Sequence, residues 1–234
     1  MEQHHIQSAY LKRFENNGKL FVYDSKTCEC KKQPRRFCTV ETDFQLEFHE
    51  QLQNEEIEKP GIEIIRKLER NCSLNEKDLN VLYSWVALHL VRNQKRKNLI
   101  FNSKDEYNEL IIARLTEDLI YLTKFPCVSI YTCSKNEFFV TSDNPILEVC
   151  FENDPAFLLP ISPDKLLVFN CRKDIVYHQE IRFDEIINSM ILASSYKHIY
   201  SDRPIDAFDK WNENIIKFNL KPKEEEIKFK LDCF

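Results

Sequence analysis

The stretch Cys127-Val128-Ser129-Ile130-Tyr131-Thr132, which follows Pro126, begins a series of short β-forming runs. Turn residues separate it from three further runs, at 137–141, 146–151 and 165–170. β-branched and aromatic residues bounded by turn signals are typical of strands. Because the preceding part of the chain has a helical pattern instead, strands and helices are grouped rather than alternating. This grouping predicts an α+β fold with N- and C-terminal β elements around a helical middle segment.

The middle segment, about 55–124, carries helical apolar spacing. One helix is expected at about 55–70. Ser73 and Glu76 have the spacing of a capping box and predict the start of a second helix. Its apolar positions follow the i, i+3, i+4 rule and are Leu79, Leu82, Tyr83, Val86 and Leu90. A third helix is expected from a second Ser-x-x-Glu pair, Ser103 and Glu106, with Leu110, Ile111, Leu115, Leu119 and Leu122 on its apolar face.

The two ends of the chain complete the expected domain. Residues 3–24 predict an extended segment followed by a hairpin, because Asn17-Gly18 is a tight-turn signal just before Leu20–Tyr23. A short strand at Ile199–Tyr200 is expected between two helices, at 183–196 and 205–219. We therefore expect a single domain over 1–220, with the helical insertion at about 55–124, and a charged C-terminal tail at 221–234.

Composition excludes several classes of protein. The 234 residues are 43% hydrophobic and include 17 Phe and 9 Tyr, which a disordered chain lacks. The chain contains only 2 Gly, too far apart for a glycine-based phosphate loop. The net charge of −5 gives no global basic field, so a polyanion site would have to be a local patch. The absence of a signal-like N-terminus or a long apolar run predicts a soluble cytoplasmic protein without a membrane partner.

The nine cysteines show no metal-binding pattern. Only Cys28, Cys30 and Cys38 lie close together in the sequence, and no second pair follows at the spacing of a zinc site. We therefore expect reduced cysteines that serve as small apolar residues and bind no zinc.

Three separated stretches are similar to a bacterial family known as domain of unknown function 4238. The first is Gln3–Phe14, followed by the strand-like Leu20–Asp24. The second is Val40–Phe44, which is similar to the family's acidic-x-Asp-Phe segment. The third and most specific is Phe139–Pro145, a strand ending in Thr-Ser-Asp-Asn-Pro, with Leu159–Pro163 following at the expected distance.

The resemblance covers most of residues 3–201 and carries over particular residues. The family's N-terminal histidine falls on His4, whereas Gln7 stands where the family has proline. Arg92 and Arg96 match the two arginines of a motif at a helix end, although the Thr and Pro between them are replaced. The family implies no established reaction. Some members lie among bacterial phage-defence genes, which implies a toxic effector or a sensor.

Asp143 is the central candidate residue. Asp and Asn before Pro145 have a structural use, since their side chains form turns by binding nearby backbone amides. The functional alternative makes Asp143 a metal ligand or general base at a strand end. In that case the flanking Ser142 and Asn144 would contact substrate. The sequence leaves both uses open.

Further candidates complete a hypothetical phosphodiesterase site. Glu41 and Asp43 are two residues apart and, with Asp143, could hold Mg²⁺ or Mn²⁺, which prefer oxygen ligands. His4 would supply a nitrogen ligand or act as base, so we expect it to lie close to Asp143. Two arginines four residues apart on a helix, Arg92 and Arg96, would bind phosphate. The alternative is that these groups form a buried arginine–carboxylate network that only stabilises the domain.

Two functions of different classes follow. The first is a metal-dependent nuclease in phage defence, with His4, Glu41, Asp43 and Asp143 as its site and nucleic acid as its partner. The second is a non-catalytic module that senses a small ligand or a partner defence protein. The seven acids and no Lys or Arg over 41–58 favour this second function, because they would repel nucleic acid.

Overall fold

A computed structural model describes residues 2–4, 8–42, 54–91, 113, 115–151, 154–170 and 182–220. It confirms the α+β class, with strands near both ends of the chain and helices between them. The strands in chain order are β1 (Glu2–His4), β2 (Leu20–Asp24), β3 (Cys30–Gln33), β4 (Val40–Thr42), β5 (Cys127–Thr132), β6 (Thr141–Ser142), β7 (Leu147–Phe151), β8 (Asp154–Ser162), β9 (Lys165–Asn170) and β10 (His198–Ser201).

The helices lie mainly in the middle and at the C-terminal side. They are α1 (Ser8–Leu11), α2 (Arg36–Thr39), α3 (Lys59–Glu69), α4 (Glu76–Val91), α5 (115–122), α6 (Phe183–Ser194) and α7 (Phe208–Lys217). A 3₁₀ turn follows α1, and a π-helical turn at Asn54–Glu58 precedes α3. No helix among these described residues is long and apolar enough to cross a membrane.

The strands form two four-stranded sheets and one two-stranded pair. One sheet has the order β3-β2-β10-β6, the other the order β5-β9-β8-β7, and β1 pairs with β4. All the pairings within them are antiparallel. The short strand β6 therefore ends the first sheet, and the segment Phe139–Pro145 passes along this edge.

Each four-stranded sheet is covered on both faces. In β2, Leu20 and Val22 belong to one apolar cluster, whereas Tyr23 belongs to a second. In β8, Leu159 and Leu158 divide between the same two clusters, as the alternation of side chains along a strand requires. Helices α1, α3, α4 and α5 contribute to the first cluster, and α6 and α7 contribute to the second. The sheets thus form a layer between two groups of helices.

The N-terminal segment differs from the sequence-based prediction. Residues 8–14 are helical rather than extended, because Tyr10, Leu11 and Phe14 are all fully buried and one helical turn brings them to one side. The Asn17-Gly18 turn is present, with φ of 54° and 72°, but it closes only an isolated bridge between Asn16 and Lys19. The main hairpin pairs β2 with β3 instead.

The second helix begins later than its predicted capping box. Asn75, not Ser73, caps α4, since the Asn75 side chain accepts the Asp78 N–H at 2.9 Å. The Asp78 carboxylate in turn accepts the Asn75 N–H at 3.3 Å, which makes this pair the reciprocal box. The third predicted helix start, Ser103, lies outside the described residues.

The largest strand was missed by the sequence analysis. β8 contains Pro155 and Pro160, and proline is rare inside central strands because it cannot donate to the ladder. The register nevertheless pairs β8 with both β7 and β9, with a shift between Pro160 and Ser162. Conversely, the run predicted as a strand at 137–141 forms strand structure only from Thr141 onward.

Candidate functional site

The Thr141–Pro145 segment lies where the two four-stranded sheets approach each other. Thr141 and Ser142 form β6 and pair with Tyr200 and Ile199 of β10. The Tyr10 hydroxyl lies 2.6 Å from the Thr141 hydroxyl and donates to the Pro160 carbonyl of the other sheet, also at 2.6 Å. The segment is therefore fixed between the sheets before its polar side chains are considered.

The Asp143 carboxylate is engaged by the backbone of a distant turn. Its Oδ1 accepts the Tyr196 N–H at 2.8 Å, and its Oδ2 accepts the N–H groups of Lys197 and His198 at 2.7 and 3.0 Å. This turn joins the end of α6 to the start of β10. The side chain is only 2% exposed, so these bonds replace water almost completely. Asp143 thus holds a helix end against a strand start, 53–55 residues away.

Ser142 and Asn144, on either side of Asp143, also form hydrogen bonds with backbone groups. The Ser142 hydroxyl accepts the Asn144 N–H at 3.1 Å, which closes a local turn. The Asn144 side-chain amide donates to the Ser194 carbonyl at 3.0 Å and so caps the last turn of α6. Ser142 is fully buried, and both bonds support the structural use of the Ser-Asp-Asn triplet.

Helix α6 supplies two further side chains, Asp184 and Asn188, that the sequence-based predictions did not include in the site. Asn188 accepts the Val140 N–H at 3.0 Å and donates to the Phe138 carbonyl at 2.8 Å. Asp184 accepts the Phe138 N–H at 3.2 Å. These side chains take the place of a neighbouring strand, which explains why residues 138–140 form no ladder. Their i, i+4 spacing is a sequence signal for this role, because it places both side chains on one helix face.

Burial sets the electrostatics of this site. It raises the pKa of Asp143, although the three backbone N–H groups and the nearby His198 act in the opposite direction. Burial lowers the pKa of His198, against the pull of the Asp143 and Asp24 carboxylates. The pKa of Tyr200 is well above its ordinary value, mainly through burial and also through Asp143. The backbone N–H groups thus stabilise the charged form of Asp143, whereas the loss of contact with water destabilises it, and the second effect is the larger.

We expect the pKa values of Asp143 and Asp24 to be shifted in opposite directions from the ordinary value of an aspartate. The pKa of Asp24 lies below its ordinary value because its carboxylate accepts the Thr27 and Lys26 N–H groups at an exposed turn. Its contribution to stability is therefore present above the ordinary pKa and lost as the pH falls through the folded-state pKa. Since the pKa of Asp143 is raised, its contribution is greatest at low pH and decreases as the pH rises through the folded-state pKa. Carboxyl ¹³C NMR titration measures both, and equal midpoints would contradict this order.

The two N-terminal candidates, His4 and Glu41, lie on neighbouring strands. β1 and β4 pair in the register that aligns His4 with Val40 and Gln3 with Glu41. The fold therefore brings together two backbone segments that are far apart in the sequence. The ladder does not pair His4 with Glu41 directly. Their side chains lie outside the described part of the chain, so the expected closeness of His4 and Asp143 stays a prediction.

A chain of contacts connects the surroundings of Asp143 with the start of β4. Asp143 accepts the N–H of His198 in β10, and two residues further along this strand the Tyr200 hydroxyl donates to the Cys38 carbonyl at 3.4 Å. Cys38 lies in α2, which ends where β4 begins. Tyr200 thus links the Asp143 turn with the helix that leads into β4.

The remaining predicted site residues, Asp43, Arg92 and Arg96, lie outside the described residues. Where side chains are described, no group of three or more His, Cys, Asp or Glu could hold a metal ion. Asp143 itself has little capacity left for Mg²⁺ or Mn²⁺, because three backbone N–H groups occupy three of its roughly four lone-pair sites and the residue is buried. Seven of the nine cysteines fall in the described part, where they are free thiols.

Comparison of the chain with protein-family models, curated proteins and solved structures gave no match. The assignment of functional residues therefore rests on the geometry of this chain.

Proposed function

We propose that the chain is a non-catalytic binding module, which acts as the sensing component of a bacterial phage-defence system. The observation that carries this proposal is the use of Asp143. Both oxygens of its carboxylate accept backbone N–H groups of residues 196–198. A metal ligand or general base needs a free lone pair directed at the metal or substrate. A carboxylate whose lone pairs are mostly used to join a helix end to a strand has little left for either role.

The hydrogen bonds of the flanking residues support the same function. Ser142 and Asn144 direct their polar groups to backbone atoms of the fold. The segment with the most specific family resemblance is thus occupied with internal contacts. A module of this kind would present its ligand-binding surface elsewhere and would use the Thr141–Pro145 segment as a rigid support.

Incubation with nucleic acids and metal tests the absence of catalysis. Purified protein is mixed with tRNA, single-stranded DNA and duplex DNA in Mg²⁺ or Mn²⁺, and the products are resolved on denaturing gels. We expect all substrates to stay intact over hours. Metal-dependent cleavage that follows the protein through purification would overturn the proposal.

A second candidate is the metal-dependent phosphodiesterase, and one observation favours it. The β1–β4 pairing brings the backbones of His4 and Glu41 onto neighbouring strands, with Asp43 directly after β4. These residue types suit a site that binds Mg²⁺ or Mn²⁺ through oxygen ligands and one histidine nitrogen. Such a site would not require Asp143 as a ligand.

His4→Ala and Glu41→Gln test this second candidate. If the chain is a nuclease, each substitution abolishes metal-dependent cleavage while the melting temperature stays near that of the unmodified protein. His198→Ala is the matched control, since it alters a histidine near Asp143 rather than one on β1. Cleavage that survives both site substitutions would remove the phosphodiesterase site as predicted.

A further inference from the structure

The outer edge of the first sheet carries an exposed basic and aromatic surface. β3 is the end strand of the order β3-β2-β10-β6, and Lys31 and Lys32 on it are both exposed. The short helix α2 follows directly and exposes Arg36 and Phe37. Lys31 and Lys32 are consecutive in the strand, so their side chains project from its two opposite faces and flank the edge. We call these four residues the β3 edge surface.

Positive charge is concentrated here although the chain is acidic overall. Residues 19–37 contain six Lys or Arg and two acids, whereas the whole chain has a net charge of −5. Of the two acids, Asp24 is engaged by the amides of its own turn. In the described part of the chain, no carboxylate forms an ion pair with Lys31, Lys32 or Arg36. Their charge is thus available to a partner.

Aromatic rings alternate with these cations. Lys32 Nζ lies 4.7 Å from the centre of the Phe21 ring, and the Arg36 guanidinium lies 4.9 Å from the centre of the Phe37 ring. Phe37 is 63% exposed, so much of its ring is open to solvent. Of the two rings only Phe37 is exposed, since Phe21 packs against the second apolar cluster. Cations that neutralise phosphates, next to an exposed ring on which a base stacks, are the elements of single-strand recognition.

A protective use of the lysines is the main alternative. Lysine on an edge strand prevents a sheet from pairing with another chain. That use explains Lys31 and Lys32, but it does not explain Phe37, because an exposed ring beside an open edge promotes association. Arg36 stacked on that ring also lies outside the strand. The full set of four residues fits a binding surface better.

We propose that single-stranded nucleic acid runs along the β3 edge surface, where Lys31 and Lys32 reach phosphates from the two sides of the strand, Arg36 binds a further phosphate and Phe37 stacks on a base. This inference rests on the proposed function as a binding module and names its ligand class. It makes the basic β3 edge surface, and not the acidic run over 41–58, the part of the chain that contacts nucleic acid. A duplex fits less well, since its bases are already stacked on one another and do not reach the Phe37 ring.

Fluorescence anisotropy with a labelled oligothymidylate of about 12 nucleotides tests the proposal. Binding is measured in EDTA over a salt series. The Lys31→Ala/Lys32→Ala variant is expected to reduce the slope of log affinity against log salt by about 1.4, as for two lost phosphate contacts. Phe37→Ala is expected to weaken binding by roughly 5- to 150-fold at every salt concentration, as for one lost stacked base.

Two control variants match these changes elsewhere on the surface. Lys59→Ala/Arg66→Ala removes two exposed cations from α3, where each has its own glutamate partner. Ile216→Ala removes an apolar side chain that is 79% exposed on α7. Both are expected to bind like the unmodified protein.

Several outcomes would overturn the ligand assignment. They are the absence of oligonucleotide binding at low salt, an unchanged salt slope in the double lysine variant, and an affinity that Phe37→Ala leaves unchanged. Equal binding of duplex and single strand would likewise contradict base stacking. These results differ from failure of the proposed function, which would appear as cleavage in the parallel Mg²⁺ or Mn²⁺ reactions.

Discussion

Replacing Asp143 with asparagine is expected to lower the free energy of unfolding by about 2–4 kcal/mol. The carboxylate accepts N–H groups on both of its oxygens, one from Tyr196 and two from Lys197 and His198. In asparagine one of these oxygens becomes an NH₂ group, so a donor would face a buried donor in either orientation. Protonation of Asp143 does not create this donor–donor conflict, because the hydroxyl oxygen of a carboxylic acid still accepts a hydrogen bond.

Asp24→Asn is the matched control for this substitution. Asp24 also accepts two backbone N–H groups, from Lys26 and Thr27, but both reach the same oxygen, Oδ1. An asparagine can keep that arrangement with its carbonyl oxygen, so we expect the melting temperature to change little. Urea unfolding of both variants measures the difference. An Asp143→Asn protein as stable as the unmodified chain would show that the residues 196–198 turn does not depend on this carboxylate.

Gly61→Ala is expected to destabilise the protein by about 1–3 kcal/mol, toward the upper end of that range. A Cβ atom at Gly61 would lie 2.6 Å from Trp85 Cβ and closer still to the indole ring. Trp85 is 1% exposed in the core, so its ring has no free space in which to move. Helices α3 and α4 would have to separate. This cost exceeds the roughly 1 kcal/mol that alanine gains over glycine inside a helix.

A double-mutant cycle isolates the contact between Gly61 and Trp85. In a Trp85→Ala background, Gly61→Ala is expected to cost less than in the unmodified protein, because the contacts with the indole ring are absent and only the contact with the Cβ atom of residue 85 remains. The second glycine of the chain provides the control. Gly18 has a φ of 72°, and a Cβ added there would meet nothing within 4 Å, so Gly18→Ala acts through backbone conformation alone. Its effect should be the same in both backgrounds. Additive effects of Gly61→Ala and Trp85→Ala would contradict the close contact.

Local sequence features predicted the type of most described elements. The runs Cys127–Thr132 and Lys165–Asn170 were predicted with the bounds that the structure shows. The helix expected at about 55–70 corresponds to α3, and the one expected at 183–196 corresponds to α6, Phe183–Ser194. In these segments the residue preferences and the apolar period agree with the burial that the fold imposes.

Predictions failed where a distant contact outweighs local preference. β8 forms in spite of two prolines, because strands on both of its sides pair with it. Residues 137–140 have the composition of a strand, but Asp184 and Asn188 of α6 occupy their backbone groups instead. Neither outcome can be read from a local window, because the partner groups lie tens of residues away in the sequence.

In the candidate site, too, the sequence and the tertiary structure determined different things. The sequence by itself identified the Thr141–Pro145 segment as a place where polar side chains must be used, and Ser142, Asp143 and Asn144 are indeed all engaged. Only the tertiary structure decided what engages them, namely backbone groups of the segment itself and of residues 194–198. The physical reason is that a buried carboxylate needs polar partners, and the sequence does not say whether a substrate, a metal ion or the protein's own backbone supplies them. For Asp143, the backbone N–H groups of residues 196–198 are these partners.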